Sequence, residues 1–333
     1  MIDRILGNSG IKVSEIGLGC MGLTHAYGDP VSDADGIQLL RDALDLGYTF
    51  FDTAQGYVGT RADGSLAHNE DLLGKAFEGV RDNVVIATKF GVEHAPDSTV
   101  IVDSSPDTIT AAIDESLRRL RTDHIDLYYQ HRIDPKVEPE TVAEIMSNLI
   151  KSGKIRAWGI SEANEDYLRR AHAVCPVSAI QNRFSLMAHW YEDLFPVLEE
   201  LDIAFVAFSP LGNGFLTGAY NYKTQFEGVQ DYREGMPQYT EEGQKRAQPL
   251  VDLIRKIADA HDATEAQVSL AWILCKKPYL IPIPGSRKLE RLRENAQASD
   301  IKLSDEEMAT IDSELSKLDL LVFGGHRIQS KTN

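Results

Sequence analysis

Short apolar runs alternate along the chain with longer stretches in which apolar residues recur every three or four positions. The runs Ile16–Gly19, Thr49–Thr53, Val84–Lys89, Ile125–His131, Ala157–Ser161, Ala179–Asn182, Ala204–Ser209 and Leu280–Pro284 predict strands. Brief, nearly continuous apolar runs of this kind suit strands buried on both faces. The stretches Ile109–Leu120, Thr141–Ile150 and Tyr191–Leu201 carry the helical period. Pro106, Pro139 and Pro249 fall where an early helical turn tolerates a missing N–H. At the start, Ile5-Leu6 and Ile11-Lys12-Val13 flank Asn8-Ser9-Gly10 and predict a β-hairpin, with Asn and Gly supplying positive φ.

Eight even strand–helix units predict a (β/α)8 TIM barrel with an N-terminal β-hairpin and an extra C-terminal helix. An open doubly wound sheet shares the local alternation, but the count and the lack of a linker or composition change favour the barrel. Residues 1–333 are read as a single barrel domain. The segment from Gly212 to about Gly243 has no clear periodicity. In a barrel it lies at the C-terminal rim, where sites form, so it reads as a lid, with a tolerated insertion as the plain alternative. Gly17-Leu-Gly19-Cys-Met-Gly22 has the spacing of a dinucleotide-binding fingerprint, but no helix opens at its last glycine. It is read instead as the end of strand one, with glycines admitting a close backbone approach to a ligand.

Composition narrows the class of partner. With 34 basic and 51 acidic side chains the formal charge is −17, which disfavours nucleic acid. An anionic ligand needs a local basic cluster, and Arg287, Lys288, Arg291 and Arg293 supply one at the last loop and helix. No run approaches a membrane span, the N-terminus lacks a signal-like apolar core, and Cys20, Cys175 and Cys275 are far apart. These features read as a cytoplasmic protein with no membrane partner, no metal site and an oligomeric state left open.

Asp52, Tyr57, Lys89 and His131 fall at or just beyond the C-terminal ends of successive predicted strands. Singly, each has an ordinary explanation: a loop cap, a solvated strand end, a hydrogen-bonded structural histidine. Together they converge on one rim and suit carbonyl reduction. A tyrosine hydroxyl can protonate a forming alkoxide if its phenolate is stabilised, and a neighbouring ammonium lowers its pKa. Asp52 would hold that ammonium, and His131 can donate to the carbonyl oxygen.

The segments GYTFFDTAQGY (Gly47–Tyr57), NEDLLGKAF (Asn69–Phe77), ATKFG (Ala87–Gly91), DLYYQHRID (Asp126–Asp134), GKIRAWGISEAN (Gly153–Asn164), QNRFSL (Gln181–Leu186), FVAFSPLGNGFLTG (Phe205–Gly218) and IPGSRKLERLREN (Ile283–Asn295) resemble the aldo-keto reductase superfamily, in order and over nearly the whole chain. The resemblance implies a catalytic tetrad of Asp52, Tyr57, Lys89 and His131. It also implies an NADP(H) cofactor bound in extended form across the barrel mouth. Cofactor contacts carry over to Ser161, Gln181, Phe208, the loop Ser209-Pro210-Leu211-Gly212, Gly285, Ser286, Arg287, Arg291 and Asn295. Phe208 stands in place of a stacking tyrosine, Glu162 in place of a common Asn, and Gly285 where relatives carry lysine. Met21 and Trp190 are expected at the substrate pocket.

The function expected is NADPH-dependent reduction of a small aldehyde or ketone. Oxidation of the alcohol uses the same residues in reverse. A regulatory, cofactor-bound module similar to channel-associated members of the superfamily is the expectation from another class. Between Tyr57 and Asn69 the chain carries Val-Gly-Thr-Arg-Ala-Asp-Gly-Ser-Leu-Ala-His, a polar insertion beside the proton donor. Either it touches substrate or it is a neutral surface insertion.

Overall fold

The computed structural model describes residues 1–94, 99–226 and 231–324. Strands β1 (Asp3–Ile5) and β2 (Lys12–Ser14) pair antiparallel, with Ile5 opposite Lys12. The connection between them is a 3-10 turn over Gly7–Ser9, and positive φ falls at Gly7 and Gly10. Asn8 does not take that role. Its side chain bonds instead to the Val177 carbonyl and to Ser178, fastening the hairpin under the barrel.

The chain continues through β3 (Leu18–Gly19), α1 (Asp33–Asp45), β4 (Phe50–Asp52), β5 (Val58–Thr60), β6 (Leu66–His68), α2 (Asn69–Ala76), β7 (Val85–Phe90), β8 (Val92–His94), β9 (Val100–Val102) and α3 (Pro106–Leu120). The second half runs β10 (Ile125–Gln130), α4 (Pro139–Lys151), β11 (Ile155–Ser161), α5 (Glu165–Val174), β12 (Ala179–Arg183), α6 (Phe195–Leu201), β13 (Ala204–Phe208), α7 (Glu241–Ala260), α8 (Glu265–Lys276), β14 (Leu280–Pro282), α9 (Leu289–Gln297) and α10 (Asp305–Leu315). The parallel sheet has the order β3-β4-β7-β10-β11-β12-β13-β14. The bonds Gly17 N to Pro282 O (2.9 Å) and Gly19 N to Pro284 O (3.3 Å) join its two ends and close the barrel.

The glycine run ends the first barrel strand, as expected, and its backbone makes those closing bonds. A Cβ on Gly19 would sit 2.8 Å from the Ile283 carbonyl, and one on Gly17 would sit 2.6 Å from the Phe50 ring. Both glycines thus allow close packing against the neighbouring strand and the barrel interior.

Inward-facing Phe50, Val85, Ala87, Leu127, Tyr129, Ala157, Ala179, Ala204, Val206 and Ile281 fill the barrel, and Leu6, Ile11 and Val13 of the hairpin plug its N-terminal end. The outer faces pack against the helices in a larger cluster that includes Ile86, Tyr128, Trp158, Ile180, Phe205 and Trp272. Helix starts follow capping chemistry. Ser32, Ser105, Thr240, Thr264 and Ser304 accept from backbone N–H groups three residues on, and Thr264 and Ser304 form capping boxes. Pro106 and Pro139 open α3 and α4 as anticipated, whereas Pro249 lies inside α7 because Thr240 starts that helix a full two turns earlier. The extra C-terminal helix is α10. Among the described residues no helix is long and apolar enough to cross a membrane.

Candidate active site

The C-terminal ends of β4 and β7 carry Asp52 and Lys89 toward the barrel axis, because side chains alternate and Ala87 two residues before Lys89 is already inside. Tyr57 follows β4 in a tight loop, with its N–H bonded to the Ala54 carbonyl and its own carbonyl accepting from Asn69 N and Thr24 Oγ1. Gly56 makes that loop possible. A Cβ there would meet the Val92 carbonyl at 2.6 Å, so the loop passes directly beneath the β8–β9 hairpin.

Lys89 Nζ donates to Asp52 Oδ1 (2.5 Å), to the Thr53 carbonyl (2.7 Å) and to the Tyr57 hydroxyl oxygen (3.2 Å). An ammonium has three protons, and all three are spent here. Tyr57 is therefore an acceptor toward Lys89, and its own O–H is left to point elsewhere. Gln181 at the end of β12 donates its amide to Asp52 Oδ2 (2.6 Å), so both carboxylate oxygens are held. Asn69 fixes the segment from the other side. It accepts from Thr53 Oγ1 and donates to the Cys20 carbonyl and to Thr24 Oγ1.

The His131 ring meets the Tyr57 ring edge-on, centroids 5.7 Å apart at 82°, and the His25 ring stacks on Tyr57 at 6.1 Å. All four sequence-predicted residues are at least nine-tenths buried: Asp52, Tyr57, Lys89 and His131. Burial works to lower the Lys89 pKa, but Asp52 and Tyr57 reverse that and leave it above its ordinary value, so the group stays an ammonium. Burial likewise pushes Asp52 up, opposed by Lys89 and Gln181. With Lys89 charged, the ion pair is the state we assign.

At Tyr57 the ammonium acts in the expected direction and burial acts against it. Lys89 does pull the phenol pKa down, but burial is larger, and the net direction is upward.

Ser161 ends β11, donates to the Gln181 carbonyl (2.8 Å) and accepts from Arg132 (3.0 Å). Glu162 follows with φ 56°, a strained left-handed position for a non-glycine residue, and its carboxylate pairs with Arg132 at 3.2 Å. Phe208 ends β13 facing the mouth, and the next loop is left-handed at Ser209, Gly212, Asn213 and Gly214. This Ser209-Pro210-Leu211-Gly212 turn curls over the rim.

Arg287 donates to the carbonyls of Gly22 and Gly28, which brings the last loop onto the loop behind β3 that holds Met21. Gly285 approaches the Gly19 carbonyl closely, and Ser286 caps the Lys288 N–H. Arg291 pairs with Glu294 on α9, and Asn295 is buried on the same helix. Trp190 is half-buried and packed against Tyr191.

Three residues at this rim escaped sequence reasoning. Asn213 donates to the hydroxyls of Tyr27 and Tyr232 (2.9 Å each) and accepts from Arg183 (3.2 Å). It thereby links three loops distant in sequence. Tyr232 lies in the expected lid, where 3-10 turns Tyr232–Gly235 and Pro237–Tyr239 precede α7, and its N–H bonds to the Ala26 carbonyl. Residues 227–230 of that lid lie outside the described residues. Arg183 extends β12 one residue past the predicted end. The insertion behind Tyr57 forms the β5–β6 hairpin, whose Arg61 pairs with Asp33 on α1.

A buried Asp–Lys–Tyr set with a histidine edge, at the C-terminal mouth of a closed eight-stranded barrel, can hold a proton on Tyr57 and accommodate the charge left when it departs. The chain as a whole is similar to several known proteins. The chain is 38% identical over 310 residues to "Probable aldo-keto reductase 1" of Glycine max, covering 92% of this chain and 86% of that protein. The glycerol dehydrogenase AKR11B4 from Gluconobacter oxydans superposes with a TM-score of 0.84 at 27% identity, over 95% of both chains. An aldo-keto reductase from Klebsiella pneumoniae, crystallised in complex with NADPH, superposes with a TM-score of 0.70 at 27% identity, over 95% of this chain and 96% of that one. The family model described as "Aldo/keto reductase family" matches residues 15–315, and the chain belongs to that family.

Proposed function

We propose that residues 1–333 act as one catalytic unit that reduces an aldehyde or ketone to the alcohol, with NADP(H) as cofactor and Tyr57 as general acid. The observation that carries this reading is the Lys89 ammonium, whose three protons go to Asp52, Thr53 and Tyr57. That geometry leaves the Tyr57 proton free for a substrate oxygen and sets a positive charge 3.2 Å from the oxygen that loses it. Asp52, held by Gln181, keeps the ammonium in place. His131, edge-on to Tyr57, is assigned the hydrogen bond that orients the carbonyl oxygen.

The rim residues fit a phosphate-bearing dinucleotide. The left-handed turn at Ser209 and Gly212–Gly214 makes a backbone cradle. Arg287, Lys288, Arg291 and Arg293 stand at the last loop and the start of α9, a basic patch in a chain of formal charge −17. Phe208, Ser161 and Gln181 are assigned to the nicotinamide, and Gly285, Ser286, Arg287, Arg291 and Asn295 to the adenosine phosphate end. When bound, the cofactor supplies the hydride. Support comes from the Klebsiella relative named as an NADPH complex.

Alcohol oxidation is the same path reversed, with the Tyr57 phenolate as base. The Gluconobacter relative, named a glycerol dehydrogenase, favours keeping that direction in the assay. Met21, in the 3-10 turn after β3, and Trp190 are the substrate-contact assignments. Scattered free cysteines, two of them buried, support a cytoplasmic setting.

The experiment is NADPH oxidation and NADP+ reduction by purified protein over a panel of aldehydes, ketones and alcohols. Turnover in either direction that Tyr57→Phe suppresses supports the reading. NADPH binding with no turnover of any carbonyl or alcohol would refute it.

A further inference from the structure

Arg183 and Phe208 are register partners on the neighbouring strands β12 and β13. Both face the barrel axis, since Gln181, two residues before Arg183, reaches Asp52, and Val206, two before Phe208, lies in the interior core. Two residues along a strand advance about 6.6 Å. Arg183 therefore stands one layer above Gln181, and so above the Asp52–Lys89–Tyr57 set.

Its surroundings are unusual for a guanidinium. Arg183 is only 8% exposed, with its guanidinium carbon 5.0 Å from the Phe208 ring centroid and 5.4 Å from that of Phe323. Two rings suit its weakly hydrated faces but leave its edge donors unanswered. A guanidinium carries five N–H donors. Among the described residues it makes one hydrogen bond, to Asn213 Oδ1, and no ion pair. Glu162, the acid whose field reaches it, is already held by Arg132. Lys89 is likewise paired with Asp52. Of the charges gathered here, two cations are matched and Arg183 is left over. A buried cation without a carboxylate is costly, and such sites are commonly completed by a ligand's charge.

We propose that Arg183 determines specificity by receiving the carboxylate of the carbonyl substrate, so that the preferred substrates are acids carrying a second, reducible carbonyl. This deepens the reductase reading and rests on it. The anion could in principle come from the cofactor pyrophosphate instead. The curled loop after β13 and the Arg287–Arg291 segment are the phosphate assignments, whereas Arg183 faces the axis above the proton donor, which favours the substrate.

The test uses 4-carboxybenzaldehyde and its neutral counterpart methyl 4-formylbenzoate, with NADPH affinity followed separately by fluorescence titration. Arg183→Met should raise the KM for the acid about tenfold or more, the scale of one charge-assisted bidentate contact. The KM for the ester and the Kd for NADPH should each change less than about twofold. Arg183→Lys should fall between, keeping the charge but not the fork. Equal losses for acid and ester would overturn the proposal in favour of a structural role for Arg183. A tenfold loss of NADPH affinity with the acid-to-ester ratio unchanged would overturn it in favour of the pyrophosphate.

If Arg183→Met does not fold, calorimetry on the unmodified enzyme with NADP+ bound decides. Benzoate should bind about tenfold or more tightly than benzamide, and equal affinities overturn the proposal. Turnover of the ester without preference for the acid sinks this inference alone. Turnover of neither aldehyde, with NADPH bound, sinks it together with the reductase reading.

Discussion

Removing the Lys89 ammonium while keeping its length separates the two jobs assigned to it. Lys89→Met leaves Asp52 without its buried partner and Tyr57 without the charge that stabilises its phenolate. Loss of one member of a buried ion pair costs about 3–5 kcal/mol. At about 2 °C per kcal/mol for a long chain, the melting temperature should fall by roughly 6–10 °C. The chemical effect is worked from the contact itself. At the 3.2 Å separation of Nζ and the Tyr57 oxygen, with an effective dielectric of about 20, an ammonium stabilises a full phenolate by roughly 5 kcal/mol. With about half that charge developed in the transition state, kcat should drop on the order of a hundredfold.

The double variant Asp52→Asn/Lys89→Met distinguishes the two effects. It removes the orphaned carboxylate, so stability should recover by at least half, yet turnover should stay as low as in the single variant. Thermal unfolding and NADPH-oxidation kinetics on both variants read this directly. A folded Lys89→Met enzyme whose kcat stays within about threefold of the original would remove the ammonium from the chemical step. So would a double variant that regains activity along with stability.

Further expectations follow from the same geometry. Because burial holds the Tyr57 phenol above its ordinary value, reduction, which needs the proton in place, should be flat through neutral pH and fall only on the alkaline side. Oxidation, which needs the phenolate, should rise toward the same limit. A reduction rate that falls between pH 7 and about 9 would contradict the assignment. Arg287→Ala should weaken NADPH binding about tenfold or more while leaving NADH nearly unaffected, read by fluorescence titration, since a guanidinium–phosphate contact is a strong charge-assisted bond. Equal losses for both nucleotides would remove Arg287 from the phosphate assignment. Asn213→Ala should cost about 1–3 kcal/mol, because it strips the bonds to Tyr27, Tyr232 and Arg183 and leaves alanine at φ 60°. Hydrogen exchange should then quicken over Tyr232–Tyr239. Asn213→Gly, which accepts that φ, should lose less.

The barrel strands were legible because burial on both faces leaves a continuous apolar run. Val85–Phe90 and Ile125–Gln130 are buried at every position, and each predicted strand matches an observed one within a few residues. Lys89 stood out for the same reason, as the charge that ends such a run. Asp52, Tyr57 and His131 could be placed at the rim from their position after apolar strands. The hub at Asn213 could not. Its partners Tyr27, Arg183 and Tyr232 come from three separate loops and strand ends, and no local period records a long-range hydrogen bond. The role of Gln181 shifted for a related reason. The resemblance assigns it to the cofactor, but its amide also steadies Asp52, a contact made across the barrel. The β5–β6 hairpin was visible only as extra length, because three-residue strands carry too little alternation to announce themselves. The lid's end, expected near Gly243, falls within three residues of the Thr240 cap that starts α7.

Tyr57 is assigned delivery of the proton, and a single-turnover measurement on Tyr57→Phe isolates that step. Enzyme preloaded with NADPH is mixed with an aldehyde that the unmodified protein reduces, and the nicotinamide absorbance is followed. The chemical step should slow by about a hundredfold or more, with NADPH affinity unchanged within about twofold. A Tyr57→Phe enzyme that transfers hydride at the original rate would contradict it.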